Sequence, residues 1–236
     1  MVLGVLVAVA LVGAVVGAIA LLVRGGRGAM EFAPRNLVRV YLYIASMAGI
    51  IVLVVGLSGI LTVGFAAAFG NGFVYGESTP FPSVVACPPN ADPSVKCVPP
   101  NQPDFAQQRV RELDRRRADD LIRGVTFTVF GALFWGAHYF ARRGVMGADE
   151  LTSGLRRGYL LLGTVIFGIA TVILLPTGIY QALSYLILPL DPNGGFRNGT
   201  GDTLPGGLVT LPIWLTYLWL VVRDVRSTPA TPPSTA

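Results

Sequence analysis

The sequence predicts an all-α fold, a polytopic helical bundle integral to a membrane, with about five transmembrane helices. Three observations predict it. Hydrophobic residues make up 53% of the 236 and charged residues only 13%, against about 25% charge in a soluble domain. Several apolar runs exceed the roughly 18 residues that mark a bilayer span. The alternating segments of about 10 residues that a membrane barrel needs do not occur, and a helix otherwise satisfies its own backbone in lipid.

Residues 1–23 read as an N-terminal transmembrane helix, apolar from Val2 to Val23. No basic residue precedes it, and the apolar run continues past Ala18-Ile19-Ala20, which mimics a cleavage site. A retained helix with its N-terminus outside therefore fits better than a cleaved signal peptide. Gly13 and Gly17 form a small-x-x-x-small face for close helix packing. A cytoplasmic loop, 24–36, leads to a first helix pair over 37–141, with spans at Leu37–Phe69 and Leu121–Ala141. Gly49 and Gly56, two turns apart, suit close packing inside it.

The outer loop of this pair, 70–120, is Gly/Ser/Pro-rich at first. Its prolines exclude a helix as far as residue 104. Asp104 followed by Gln107 signals a helix start. The helix from there into the third span puts Val110, Leu113 and Leu121 near one face, with Arg and Asp pairing across turns elsewhere. After a cytoplasmic loop, 142–158, a second pair covers 159–222, with spans Tyr159–Leu188 and Gly207–Val222 and a Gly-rich outer loop, 189–206. Pro176 is expected to kink or break the fourth span. Spans two and four exceed the roughly 20 residues required, so they should tilt or extend into the interface. The tail, 223–236, is low-complexity and expected to be disordered.

Charge sets the sidedness. Loops 24–39 and 142–157 and the tail hold ten arginines against four acids. The two outer loops hold seven basic and nine acidic residues. The positive-inside rule puts the arginine-rich side, and the C-terminus, in the cytoplasm; Arg115, Arg116 and Arg117 stand against it on the outer side. Cys87 and Cys97, ten apart in the Pro-rich loop, suit a structural disulfide in an oxidising compartment, which also places that loop outside. Seventeen of the 18 basic residues are arginine; with abundant Ala, Gly and Val, this suggests a GC-rich bacterial genome and a bacterial cytoplasmic (plasma) membrane.

The chain also echoes itself. RVYLYIASMAGIIVLVVGLSGI from Arg39 and RGYLLLGTVIFGIATVILLPTGI from Arg157 both open with Arg-x-Tyr-Leu. Trp135 and Trp214 each sit mid-span in the following helix, and both helices exit at arginine. This reads as a parallel tandem duplication of a helix pair behind a leading helix. Arg39, Tyr41, Tyr43, Arg123, Trp135, His138 and Arg142 or Arg143 carry a resemblance to the bacterial membrane family known as domain of unknown function 5671, over about 35–145 and more loosely 155–223. Tyr217 departs from it, standing where the first copy has His138. The resemblance implies a membrane location and no chemistry.

His138, the one histidine, lies a turn before Arg142 on the same helical face. An interfacial or interhelix hydrogen bond is the favoured role. Haem ligation would need a second chain, or sulfur from Met47 or Met146; a proton relay is the other alternative. Gln181, five residues after Pro176, is the most suggestive polar group for a transport path. Asp191, Asn193 and Asp202 offer oxygens without a calcium-loop spacing. No nucleophile constellation, nucleotide loop or metal motif is visible. The expectation is a non-catalytic accessory or structural subunit of a membrane complex, with no catalytic residues, no metal and no cofactor. Its partners would be membrane lipid and a homo-oligomer or larger membrane protein complex, with no nucleic acid. The alternative is a small transporter or channel built from the duplicated pair.

Overall fold

The computed structural model describes residues 34–78, 102–145, 154–189 and 196–226. The fold is all-α. In chain order come α1 (Pro34–Phe69), the short α2 (Asn71–Tyr75), β1 (Glu77–Ser78), α3 (Gln102–Val145), α4 (Gly154–Ile187), β2 (Phe196–Arg197) and α5 (Thr203–Arg226). The two strands form a two-residue antiparallel ladder, Glu77 opposite Arg197 and Ser78 opposite Phe196.

Among the described residues four long helices make two antiparallel pairs. In the first, α1 meets α3 where glycine removes the side chain from one partner. A Cβ on Gly49 would lie 2.8 Å from the Trp135 backbone nitrogen, one on Gly56 would overlap the Thr128 backbone, and one on Gly131 would overlap that of Leu53. Gly59 and Gly124 face each other further along. The register runs in opposite directions along the whole contact, so the pair is straight and close. In the second pair α4 meets α5 in the same way: Gly178 against Leu204, Gly207 against Leu175, Gly163 against the Tyr217 ring and Gly168 against Trp214. The pairs join through a core of Met47, Ile51 and Val54 from α1 with Leu160, Phe167 and Tyr217.

Helices α1 (from Val38), α4 and α5 are long and apolar enough to cross a membrane. Helix α3, which contains the expected third span, is not among them. It runs unbroken for 44 residues, about 66 Å at 1.5 Å per residue, and its apolar part carries Arg123, His138 and three glycines. The expected first span lies outside the described residues, as do Gly13, Gly17, Cys87, Cys97 and Met146.

Three local expectations are corrected. Helix α3 begins at Gln102, so Asp104 sits inside its first turn and is not its cap. Pro103 is tolerated there because a first-turn N–H has no helical acceptor. Residues 71–75, expected in an irregular connector, form α2, whose Phe73 and Val74 are buried beneath α4 and α5 side chains. Helix α4 is continuous through Pro176; Thr177 Oγ1, one residue on, donates to the Ile173 carbonyl at 2.7 Å. On α3, Val110 and Leu121 are exposed, while Leu113 and Asp120 face inward.

Candidate functional site

Each of the four long helices described brings arginine to the same end of the bundle. Arg39 is at the start of α1, Arg142 and Arg143 are in the last turn of α3, Arg156 and Arg157 are at the start of α4, and Arg223 and Arg226 are in the last turn of α5. Antiparallel pairing produces this from the sequence order alone: α1 and α4 start at the end where α3 and α5 finish.

His138 lies near this end. Its Nδ1 is 2.7 Å from the Phe134 carbonyl. A carbonyl only accepts, so Nδ1 carries the hydrogen. The Tyr41 hydroxyl is 3.2 Å from Nε2; in the neutral ring Nε2 is the acceptor, and tyrosine donates. Both ring nitrogens are therefore engaged, and the Phe134 ring packs 4.2 Å from the imidazole. Trp135 does not share this site. Its backbone touches Gly49 and its ring stacks on Tyr139 at 5.4 Å. Met47, the other considered iron ligand, is 2% exposed in the apolar core.

A larger cluster sits beside it. The Arg142 guanidinium lies 5.0 Å from the Tyr43 ring centre and 5.6 Å from those of Tyr139 and Tyr159. Tyr43 and Tyr159 are themselves 5.0 Å apart, and the Tyr159 hydroxyl is 2.7 Å from that of Tyr217. Three helices thus meet around one cation, and α5 joins them through the Tyr159–Tyr217 hydrogen bond. A cation over an aromatic face gains about 0.5–2 kcal/mol depending on desolvation. Next to the cluster, Asp224 takes Arg156 at 3.3 Å and Arg157 at 3.2 Å, tying α4 to α5. In the sequence Tyr43 and Arg142 are separate matches with nothing that joins them; the repeated Arg-x-Tyr-Leu opening, which holds Tyr159, is the one signal for this cluster.

The opposite end has its own clasp. Arg197, in the ladder, donates to Glu77 at 2.7 Å and to the carbonyls of Tyr185 and Leu188 at 2.8 and 3.0 Å. Its guanidinium lies 3.9 Å above the Tyr185 ring. Gln181 is half-buried here and accepts from Thr203, which opens α5. Tyr75 donates to Asp120 at 3.0 Å, and Arg123 holds the other Asp120 oxygen at 2.8 Å. Burial, reinforced by the Asp120 charge, pushes the Tyr75 hydroxyl well above its ordinary pKa.

Between the two ends the polar groups are mostly tied within their helices. Thr164 and Thr171 donate to the carbonyls of Leu160 and Phe167, and Thr171 stands 3.1 Å from the Thr210 hydroxyl. The hydroxyls of Ser46 and Ser58, both buried on α1, and of Thr128 on α3 have no hydrogen-bond partner among the described residues. No group of three or more His, Cys, Asp or Glu among the described residues is placed to hold a metal ion. No family model, no curated protein and no solved structure matches the chain.

Proposed function

We propose that the chain is a five-span, non-catalytic scaffold subunit of a bacterial cytoplasmic membrane complex, with its arginine-rich end in the cytoplasm. The single observation that carries this reading is the glycine contact of helix on helix. Added Cβ atoms at Gly49, Gly56, Gly131, Gly178 and Gly207 would all meet partner backbone, so each pair is a rigid unit and not a gate. Helix α3 packs along α1 from the Tyr41–His138 contact to the Gly59–Gly124 contact, so it would cross where α1 crosses. The fifth span of this proposal rests on the apolar sequence of residues 1–23 alone. Much of the apolar surface of α3 and α4 lies open, including Phe130, Leu133, Val165, Ile169 and Val172, and is available to lipid or to another subunit.

The tandem duplication is part of this proposal. Tyr41 and Tyr159 occupy the same place in the two Arg-x-Tyr-Leu openings, and His138 and Tyr217 each follow a tryptophan by three residues. The hydrogen bonds Tyr41–His138 and Tyr159–Tyr217 are therefore equivalent in the two pairs, which favours descent of both from one unit. The resemblance to domain of unknown function 5671 adds a membrane location. In the outer loop, a Cys87–Cys97 disulfide would brace a contact surface.

A second reading, a small transporter or channel, is favoured by one observation: the unpartnered buried hydroxyls of Ser46 and Ser58, which water or a polar solute could satisfy. Native purification in mild detergent with mass spectrometry of co-purifying chains decides between them. Stoichiometric partners are expected. A lone homo-oligomer that conducts solute in liposomes would sink the scaffold reading.

A further inference from the structure

At the arginine end, α4 and α5 leave an open groove of about 290 Å³ lined by Arg157, Leu160, Leu161, Val221, Asp224 and Val225. Its chemistry is split. Leu160, 6% exposed, forms the floor, and Leu161 and Val225 form walls that are 53% and 70% exposed. Arginine stands at one edge. We infer that this groove holds one anionic phospholipid, its phosphate at Arg157 and the start of an acyl chain along Leu160, Leu161 and Val221.

Three features argue for that occupant. First, the groove lies at headgroup depth, because Arg156 and Arg157 open the apolar span Gly154–Ile187 and the bilayer core begins where the apolar run begins. Second, among the described residues the charge at this end of α4 and α5 is positive. Arg156, Arg157, Arg223 and Arg226 face one carboxylate, Asp224, on these two helices. Asp224 does not repel a phosphate strongly, since its side chain is 12% exposed and contacts both Arg156 and Arg157, while the Arg157 side chain stays 48% exposed. Third, the walls are apolar, which suits a chain and not a free anion. Basic sites between helices on the cytoplasmic side are where anionic headgroups gain most.

The inference rests on the membrane reading above. The test uses the full chain, purified and delipidated in mild detergent, then offered phosphatidylglycerol or phosphatidylcholine with identical acyl chains. Native mass spectrometry counts the lipid retained. One phosphatidylglycerol per chain is expected, held in clear preference to phosphatidylcholine. Arg157→Gln should weaken its retention about fivefold, the effect of one surface arginine. Leu161→Trp keeps every charge and fills the groove mouth, and should lower retention of both lipids, so the idea remains testable if Arg157→Gln folds poorly. Equal retention of the two lipids, or retention untouched by both variants, overturns the site. Stabilisation by inorganic phosphate equal to that by phosphatidylglycerol also overturns it, since a free anion is then sufficient. Failure of the membrane reading looks different: the chain would leave membranes in alkaline carbonate without detergent.

Discussion

The Tyr159 and Tyr217 hydroxyls stand 2.7 Å apart, joining α4 to α5 at the end where all four long helices carry arginine. Tyr217 is 5% exposed and its ring fills the space left by Gly163. Two contributions can be separated. Tyr217→Phe removes only the hydroxyl, and an interhelix hydrogen bond in a membrane protein contributes about 0.6 kcal/mol. Tyr217→Ala also empties the ring site, which costs about 3–5 kcal/mol for a buried aromatic. Thermal unfolding in detergent should therefore show a small drop for phenylalanine and a large one for alanine. Equal drops would mean that the hydroxyl pair, and not the packing, holds this corner.

Glycine positions give a matched comparison. A Cβ at Gly56 meets Thr128 backbone, whereas a Cβ at Gly64, on the same helix, meets nothing within 4 Å. Gly56→Ala should push α1 and α3 apart and cost about 1–3 kcal/mol by overpacking. Gly64→Ala should be neutral or stabilise by about 0.5–1 kcal/mol, because alanine loses less conformational freedom in a helix. Unfolding midpoints of the two variants must differ in that order; the reverse order would refute the backbone contact.

Arg197 and Glu77 do not contribute equally to the outer clasp. Glu77 has a partly exposed side chain that meets Arg197 and the Tyr185 hydroxyl, so Glu77→Ala should cost about 1 kcal/mol. Arg197 also serves two carbonyls and lies on the Tyr185 ring. Arg197→Ala should cost about 2 kcal/mol, with the carbonyls of Tyr185 and Leu188 left without their donor. Denaturant or heat unfolding of both variants, singly and combined, measures this. A larger loss for Glu77→Ala would show that the ion pair alone dominates.

Tyr75 gives the molecule an alkaline limit. Its folded pKa lies above the ordinary value, first because it is buried and then because Asp120 is beside it. In the unfolded chain tyrosine releases its proton near pH 10. The contribution of Tyr75 is therefore fully present below about pH 10 and is lost as pH rises through the folded pKa. Tyr75→Phe should flatten this alkaline decline. A spectroscopic titration in which every tyrosine of the folded protein ionises near pH 10 would contradict it.

The helices themselves were legible in the sequence because the bilayer, not tertiary contact, dictates long apolar runs: the expected spans at 37–69, 159–188 and 207–222 lie within α1, α4 and α5, or within a residue of them. The use of Gly49 and Gly56 was legible for a similar reason, since close packing leaves only glycine's absent side chain as its mark. The exact start of α3 and the helix at 71–75 were not, because local proline and glycine signals compete there with burial of Phe73 and Val74 against distant helices. The cage around Arg142 was less legible still. Its tyrosines come from residues 43, 139 and 159, and sequence spacing carries no information about which helices become neighbours. Composition and charge thus determined that the chain is helical, apolar and arginine-rich on alternate connections. Only the tertiary structure decided which of those arginines meet aromatic rings, which meet Asp224, and that His138 has both nitrogens occupied, because each depends on the register between helices that glycine contacts fix.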